Sequence, residues 1–315
     1  MRAGRGAAAA GALVFALVAT APVPASSCEP RGPEPTGRLG LVFGGGGSKA
    51  AYEAGVALAL RDRGIVPTAV AGTSSGALNA VMVAAGDVER LATLWRTVRR
   101  DDVFTYRPGT VFGGLLPAWL AIPYLRGTTS LLDPAPLRAT IVRNVDLARV
   151  RESDVRLLIL AADLVSGQAR RFDNATVSVD ALMASATVPA LFPPVAFEGA
   201  LLVDGGIVQR VPTLELLDVQ PLDRLLVVLG YESEPPREAT VETVLERAFE
   251  LALGREILRD VELARLRHPS VDIQVLRPSR PLEVRPLDFD GERLARLVDL
   301  GRSDGGRCLD ALGYR

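Results

Sequence analysis

The chain has 315 residues, 48% of them hydrophobic, which is enough for one large domain or two small ones. Its formal net charge is −1, from 36 basic and 37 acidic residues, so no broad basic field points to nucleic acid as a partner. A single histidine, His268, and two cysteines, Cys28 and Cys308, exclude a Cys/His zinc cluster.

Residues 1–27 read as an export signal. Arg2 and Arg5 form a basic start, residues 7–20 an apolar stretch too short for a comfortable membrane span, and residues 21–27 a small-residue region suited to cleavage. Ala25-Ser26-Ser27-Cys28 is similar to a bacterial lipoprotein processing box, with Ala where Leu is usual. Four readings compete there: lipidation of Cys28, plain secretion, a retained anchor, or a Cys28–Cys308 disulfide. The expected location is outside the cytoplasm, as a periplasmic or cell-envelope lipoprotein or as a secreted protein. Residues 28–37 form a Pro/Gly linker, and residues 38–315 form the folded domain.

Residues 38–43 read as a buried strand. It runs into Gly44-Gly45-Gly46-Gly47-Ser48-Lys49. Residues 50–63 then read as a helix, with Tyr52, Val56 and Leu60 on one face and Gly64 as its cap. A strand, a glycine loop and a helix present backbone N–H groups to an anion, and three anions compete. A Walker phosphate loop fails, because Lys49 follows Ser48 and no Ser or Thr follows Lys49. A dinucleotide fingerprint fits in part, as Gly45-x-Gly47-x-x-Ala50, but Gly72-Thr73-Ser74 stands where that site expects an acid. The third anion is the transient oxyanion formed when a serine attacks a carbonyl.

A second strand ends at Gly72, and residues 76–85 read as a small-residue helix. Between them Gly72-Thr73-Ser74-Ser75-Gly76 fits G-x-S-x-G, a sharp strand-to-helix turn. Such a turn projects the Ser74 hydroxyl beside the Ser75 N–H and the helix N-terminus. The two loops end consecutive strands of a βαβ unit, so they face each other across the carboxyl edge of a parallel sheet.

Residues 87–99 read as a helix with Leu91, Leu94, Trp95 and Val98 at helical spacing, Trp95 being a core residue. Residues 111–125 are apolar but broken by Gly113, Gly114, Pro117 and Pro123. A lid or lipid-facing flap competes there with a buried helical insertion. Asp133 is read as the N-cap of a further helix. A third strand covers 155–160 and a hairpin arm 170–172. Asn174-Ala175-Thr176 matches a glycosylation acceptor by chance. Residues 179–187 are helical and 188–195 form a rigid apolar loop. A strand over 201–206 ends on Asp204-Gly205-Gly206. Strands at 225–229 and 271–276 flank a long helix at 241–266, and two short helices, 291–300 and 307–312, close the chain. This alternation indicates an α/β fold with a mainly parallel sheet.

A serine hydroxyl needs a neighbouring base. His268 lies in a loop-like stretch, Arg267-His268-Pro269-Ser270, and reads as a poor candidate. Asp204, at a strand end followed by two glycines, reads as a better one, since a carboxylate shielded from water accepts a proton through a direct hydrogen bond. Lys49, in the first turn of a helix, competes as base, with ordering of the glycine loop as its preferred role.

Taken together, these blocks resemble the patatin-like phospholipase family, in an exported bacterial form. The shared features are the loop Gly44–Lys49, the Gly72–Gly76 elbow, the Asp204-Gly205-Gly206 motif and the segment running from Ala184 to Val195, within a motif-bearing core over 39–212. Residues 213–315 match only loosely. The resemblance implies a three-layer α/β/α fold and hydrolysis of lipid or phospholipid acyl esters at a membrane surface, with no metal or other cofactor. It implies Ser74 as nucleophile and Asp204 as its base, without histidine. Gly45, Gly46, Gly47 and Ser75 would supply the oxyanion N–H groups. Two departures stand out: Ala50 replaces a common glycine, and Gln209 and Arg210 stand where asparagines are common. The competing functions are a non-hydrolytic nucleotide- or lipid-binding α/β module and a tethered interaction protein using residues 111–125.

Overall fold

The computed structural model of the chain describes Cys28 and residues 37–107, 128–230 and 241–314. The export signal read at 1–27 and the flap or insertion read at 111–125 lie outside the described residues.

Strand β1 (Leu39–Phe43) leads through a 3-10 turn at Gly47–Ala50 into helix α1 (Ala51–Asp62). Strand β2 (Ala69–Thr73) runs into α2 (Ser75–Ala84), and α3 (Val88–Thr97) follows. A small antiparallel ribbon, β3 (Thr105–Tyr106) with β4 (Leu132–Asp133), precedes α4 (Ala135–Asn144) and α5 (Leu147–Glu152). Strands β5 (Arg156–Asp163) and β6 (Ala169–Phe172) form one hairpin. After α6 (Val179–Ser185), β7 (Val195–Phe197) and β8 (Ala200–Asp204) form another. The chain closes with α7 (Thr213–Val219), β9 (Arg224–Val228), α8 (Val241–Arg267), β10 (Asp272–Leu276) and α9 (Gly291–Ala311).

Strands β10, β9, β1, β2 and β5 are parallel neighbours in that order, and β6, β7 and β8 add antiparallel pairings beyond them. Both faces of the parallel part are covered, as the unbroken apolar runs require. Leu41, Phe43, Val70, Leu157 and Ile159 point into a core shared with α1, α2, α3, α6 and α9. Val42, Ala71, Leu158, Leu160 and Val227 point the other way, against α7 and α8. The result is the expected three-layer α/β/α arrangement.

The structure corrects three expectations. The two closing helices are one continuous helix, α9. Gly301, Ser303, Gly305 and Gly306 weaken local helix propensity and read as a break, but Gly301 and Gly305 lie where α9 crosses α1. A Cβ at Gly301 would sit 1.9 Å from the Tyr52 carbonyl oxygen, and one at Gly55 would sit 2.0 Å from that of Val298. Close packing of two backbones replaces propensity as the reason for these glycines. Asp133 is not the N-cap of α4: Pro134 holds that position, although the Asp133 carboxylate still accepts from the Ala135 N–H at 3.0 Å. Cys28 is disulfide-bonded to Cys308 on α9, across 280 residues of chain. The sulfur that lipidation would use is engaged in that bond, so the disulfide replaces lipidation among the Cys28 alternatives. Asn174 is also engaged internally, its side chain donating to the carbonyls of Val150 and Val155 at 2.9 Å each, as suits a chance sequon.

Replacing Gly301 by Ala gains helix propensity but forces backbone against backbone. Overpacking of this kind costs about 1–3 kcal/mol, so Gly301→Ala is expected to lower the urea midpoint, whereas a midpoint raised by the variant would contradict the close crossing.

Candidate active site

Two strands meet end to end to build the site. Strand β2 pairs in parallel with β5 as far as Thr73 opposite Leu160. Strand β8 pairs antiparallel with β5 from Ala161, which lies opposite Asp204. The other edge of the same β5 residues is taken by β6, with Leu160 opposite Arg171 and Ala161 opposite Arg170. Strands β2 and β8 therefore share one edge of β5 and approach from opposite directions. Their C-terminal ends abut, bringing Ser74 to Asp204. Nothing larger than glycine fits the junction: a Cβ at Gly205 would lie 2.4 Å from the Leu160 carbonyl oxygen and 2.8 Å from Thr73 Cγ2.

Ser74 has φ 60° and ψ −135°, a conformation that a residue with a side chain holds at a cost of about 1–3 kcal/mol. The surroundings enforce it. The Ser74 N–H donates to Ser185 Oγ at 3.1 Å, and Ser185 Oγ donates to the Leu160 carbonyl at 2.7 Å. The flanking glycines are sterically required. A Cβ at Gly72 would lie 2.2 Å from the Gly76 carbonyl oxygen, and one at Gly76 would lie 2.7 Å from that of Phe43. Helix α2 begins at Ser75, so the Ser75 N–H belongs to the unsatisfied, electropositive first turn.

Asp204 is only 6% exposed. Its N–H donates to the Thr187 carbonyl at 2.8 Å, and its Oδ1 accepts from the Gly206 N–H at 2.8 Å. Burial pushes its pKa above the ordinary aspartate value. The Ser74 hydroxyl, the Gly206 amide and the Arg210 charge partly offset this by favouring the ionised form. The Ser74 hydroxyl thus faces a carboxylate that binds a proton more readily than one in water.

The glycine loop lies against this pair. Gly45, Gly46 and Gly47 have φ of +67°, +119° and +64°, and a Cβ at Gly45 would lie 3.1 Å from Ser74 Cβ. One assignment changes. The Gly45 N–H donates to buried Glu53 Oε1 at 2.8 Å, so it is not free for an oxyanion. Of the amides expected as oxyanion donors, this leaves those of Gly46, Gly47 and Ser75. Lys49 is buried in the 3-10 turn that carries the loop into α1. The Gln209 side chain donates to Asp260 and to the Val211 carbonyl, which makes it a brace for its own segment. His268 does not join the site. It follows α8 and precedes β10, beside Asp218 at the amino edge of the parallel strands. Ser74 is at the carboxyl edge, a strand length of about 16 Å away for five residues.

A family model described as patatin-like phospholipase matches residues 41–217. The chain belongs to the patatin-like phospholipase family. An uncharacterized NTE family protein of Mycobacterium tuberculosis is 27% identical over 72% of this chain and 59% of its own length. The chain thus spans about three fifths of that relative. Lysophospholipase NTE1 of Scheffersomyces stipitis is 28% identical over 56% of this chain and 11% of its own length. Among solved structures, human GIVD cytosolic phospholipase A2 is 14% identical with a TM-score of 0.49, over 88% of this chain and 60% of that one.

Ser185 and Thr187 brace the candidate site in a way the motifs alone do not reveal. Their segment was visible as a block of the patatin-like pattern, but only the fold shows why. One residue holds the amide of Ser74 and the other the amide of Asp204. Ser185→Ala leaves the Ser74 N–H without its partner, at a cost of about 1–3 kcal/mol. Its turnover of a chromogenic ester is expected to fall about 10- to 100-fold through misplacement of the hydroxyl, and a wild-type rate would contradict the brace.

Proposed function

We propose that this chain is an exported serine acyl hydrolase of lipid esters, of the phospholipase A or lysophospholipase type. The junction of β2 and β8, which sets a strained serine against a buried carboxylate beside a glycine loop, is the observation that carries the reading. Ser74 Oγ attacks the ester carbonyl as its proton passes to Asp204. The carbonyl oxygen takes the negative charge and meets the amides of Gly46, Gly47 and Ser75. Collapse of this intermediate breaks the bond to the leaving alcohol, which receives the proton from Asp204. Water, deprotonated by Asp204, then attacks the acyl-serine; collapse breaks the bond to Ser74 Oγ, which takes the proton back from Asp204 as the acid is released. Family membership and the name of the yeast lysophospholipase support lipids as the substrate class.

Asp204 works as a base only when ionised. Its pKa is raised, so kcat/KM is expected to fall with acid along a limb lying above the ordinary aspartate value of 3.8. Ser74→Ala and Asp204→Asn should each remove turnover while His268→Ala stays near wild type. Full activity in Ser74→Ala would refute the reading, and loss in His268→Ala alone would restore a histidine base.

Export is supported by the signal-like residues 1–27 and by the Cys28–Cys308 bond, since disulfides persist in oxidising compartments. Intact-mass analysis of protein purified from the cell envelope or medium is expected to show a cleaved chain with no free thiol and no acyl modification on Cys28. A thioether-linked lipid there would overturn the disulfide assignment.

A further inference from the structure

A buried chain of hydrogen bonds runs from α3 to the glycine loop and takes no part in the proton transfers above. Trp95 Nε1 donates to Asn79 Oδ1 at 2.7 Å. Asn79 Nδ2 donates to Glu53 Oε2 at 2.9 Å and to the Ala50 carbonyl at 3.0 Å. Glu53 Oε1 accepts from the Gly45 N–H at 2.8 Å. Glu53 and Asn79 are both fully excluded from solvent. The direction of the chain is chemically forced. An indole N–H only donates, so the Asn79 atom facing it is the amide oxygen. The Asn79 amino group is then left for two acceptors, and Glu53 accepts through both oxygens. Three packed helices thereby fix one carboxyl group.

That carboxyl group holds the loop where it touches the elbow. A Cβ at Gly45 would lie 2.5 Å from the Thr73 carbonyl oxygen and 3.1 Å from Ser74 Cβ. The loop is anchored at its ends by Gly44 N–H to the Val228 carbonyl at 3.2 Å and Ser48 N–H to the Pro286 carbonyl at 2.8 Å. Between those anchors lie three successive glycines with positive φ. Glycine reaches such conformations easily but also leaves them easily, so a loop of this composition does not select one geometry by itself. Gly45 is the first of the three, and its peptide plane sets the direction in which the next two amides start.

We propose that Glu53 is a positioning residue for the oxyanion loop: its grip on the Gly45 amide selects the conformation in which the Gly46 and Gly47 amides face the developing oxyanion. Asn79 and Trp95 act behind it by fixing the carboxyl group. The proposal rests on the serine hydrolase reading and deepens it. An oxyanion develops only in the transition state, so loss of the grip lowers kcat and leaves KM near its wild-type value. A buried residue with a merely structural role would alter melting without that split.

The test uses the full chain, p-nitrophenyl butyrate as the ester probe and a fluorophosphonate as the serine probe. Glu53→Met removes the acceptor, and kcat is expected to fall about 100-fold, as for a misplacement of about 1 Å. Glu53→Gln keeps an oxygen for the Gly45 N–H but sets its amino group against the Asn79 amino group, so its kcat should stand between those of wild type and Glu53→Met. Trp95→Phe, which leaves α1 untouched and frees the Asn79 amide, should lower kcat several-fold with KM held. Should Glu53→Met fail to fold, Trp95→Phe and Glu53→Gln decide. Wild-type kcat in Trp95→Phe, or a Gln variant as inactive as Ser74→Ala while still folded, overturns the proposal. Wild-type protein that the fluorophosphonate labels at Ser74, together with Glu53→Met at full turnover, sinks this inference alone. Wild-type protein that neither labels nor turns over sinks the hydrolase reading beneath it.

Discussion

The junction of β2 and β8 on one edge of β5 is the constraint on which everything else in this structure depends. It is a matter of register. Thr73 ends opposite Leu160 and Asp204 ends opposite Ala161, so two strands running in opposite directions fill consecutive positions on a common partner. Side chains alternate along a strand, so a slip of one residue in β8 would turn the Asp204 carboxylate to the other face of the sheet. The approach of Ser74 to Asp204 therefore rests on backbone pairing, and the local motifs supply only the shape of each end.

The site is assembled from polar groups in an apolar interior, where each unpaired group would be expensive. The structure answers with short relays. Ser185 passes the hydrogen bond of the Ser74 amide to Leu160, and Glu53 receives Gly45 with Asn79 behind it. Burial nevertheless raises the pKa of Glu53 from 4.5 to about 8, against the favourable contacts from Asn79, the loop amides and Arg210. Asp204 is shifted in the same direction, also by burial. Both groups bind protons more tightly folded than unfolded. Their contribution to stability is therefore complete below the unfolded values and declines as pH rises through the folded ones. The ionised Asp204 that the proposed mechanism needs is a form the fold holds at a cost.

Much of this was legible in the residues. The runs at β1, β2, β5 and β9 are apolar on both faces, which only a covered parallel sheet explains. The elbow, the glycine loop and Asp204-Gly205-Gly206 were visible because close backbone approach demands glycine at fixed spacing. Other features were illegible for physical reasons. Gly301 and Gly305 of α9 read as part of a break because propensity is local, whereas their cause is α1 crossing at close range. Gly45 looked like an oxyanion donor because nothing in a glycine codon shows that Glu53, on the next helix, has already taken its amide. Ser185 and Thr187 read only as the end of a helix within the shared segment, since their partners, Ser74, Leu160 and Asp204, are distant in the sequence.

The central proposal is that the Ser74 hydroxyl is the activated nucleophile of this fold. Reaction of the purified protein with a fluorophosphonate, followed by peptide mapping in a mass spectrometer, reads that claim directly. A single phosphonyl adduct on the peptide carrying Ser74, strongly reduced in Asp204→Asn, is the predicted result. An adduct confined to another residue, or equal labelling with and without Asp204, would contradict it.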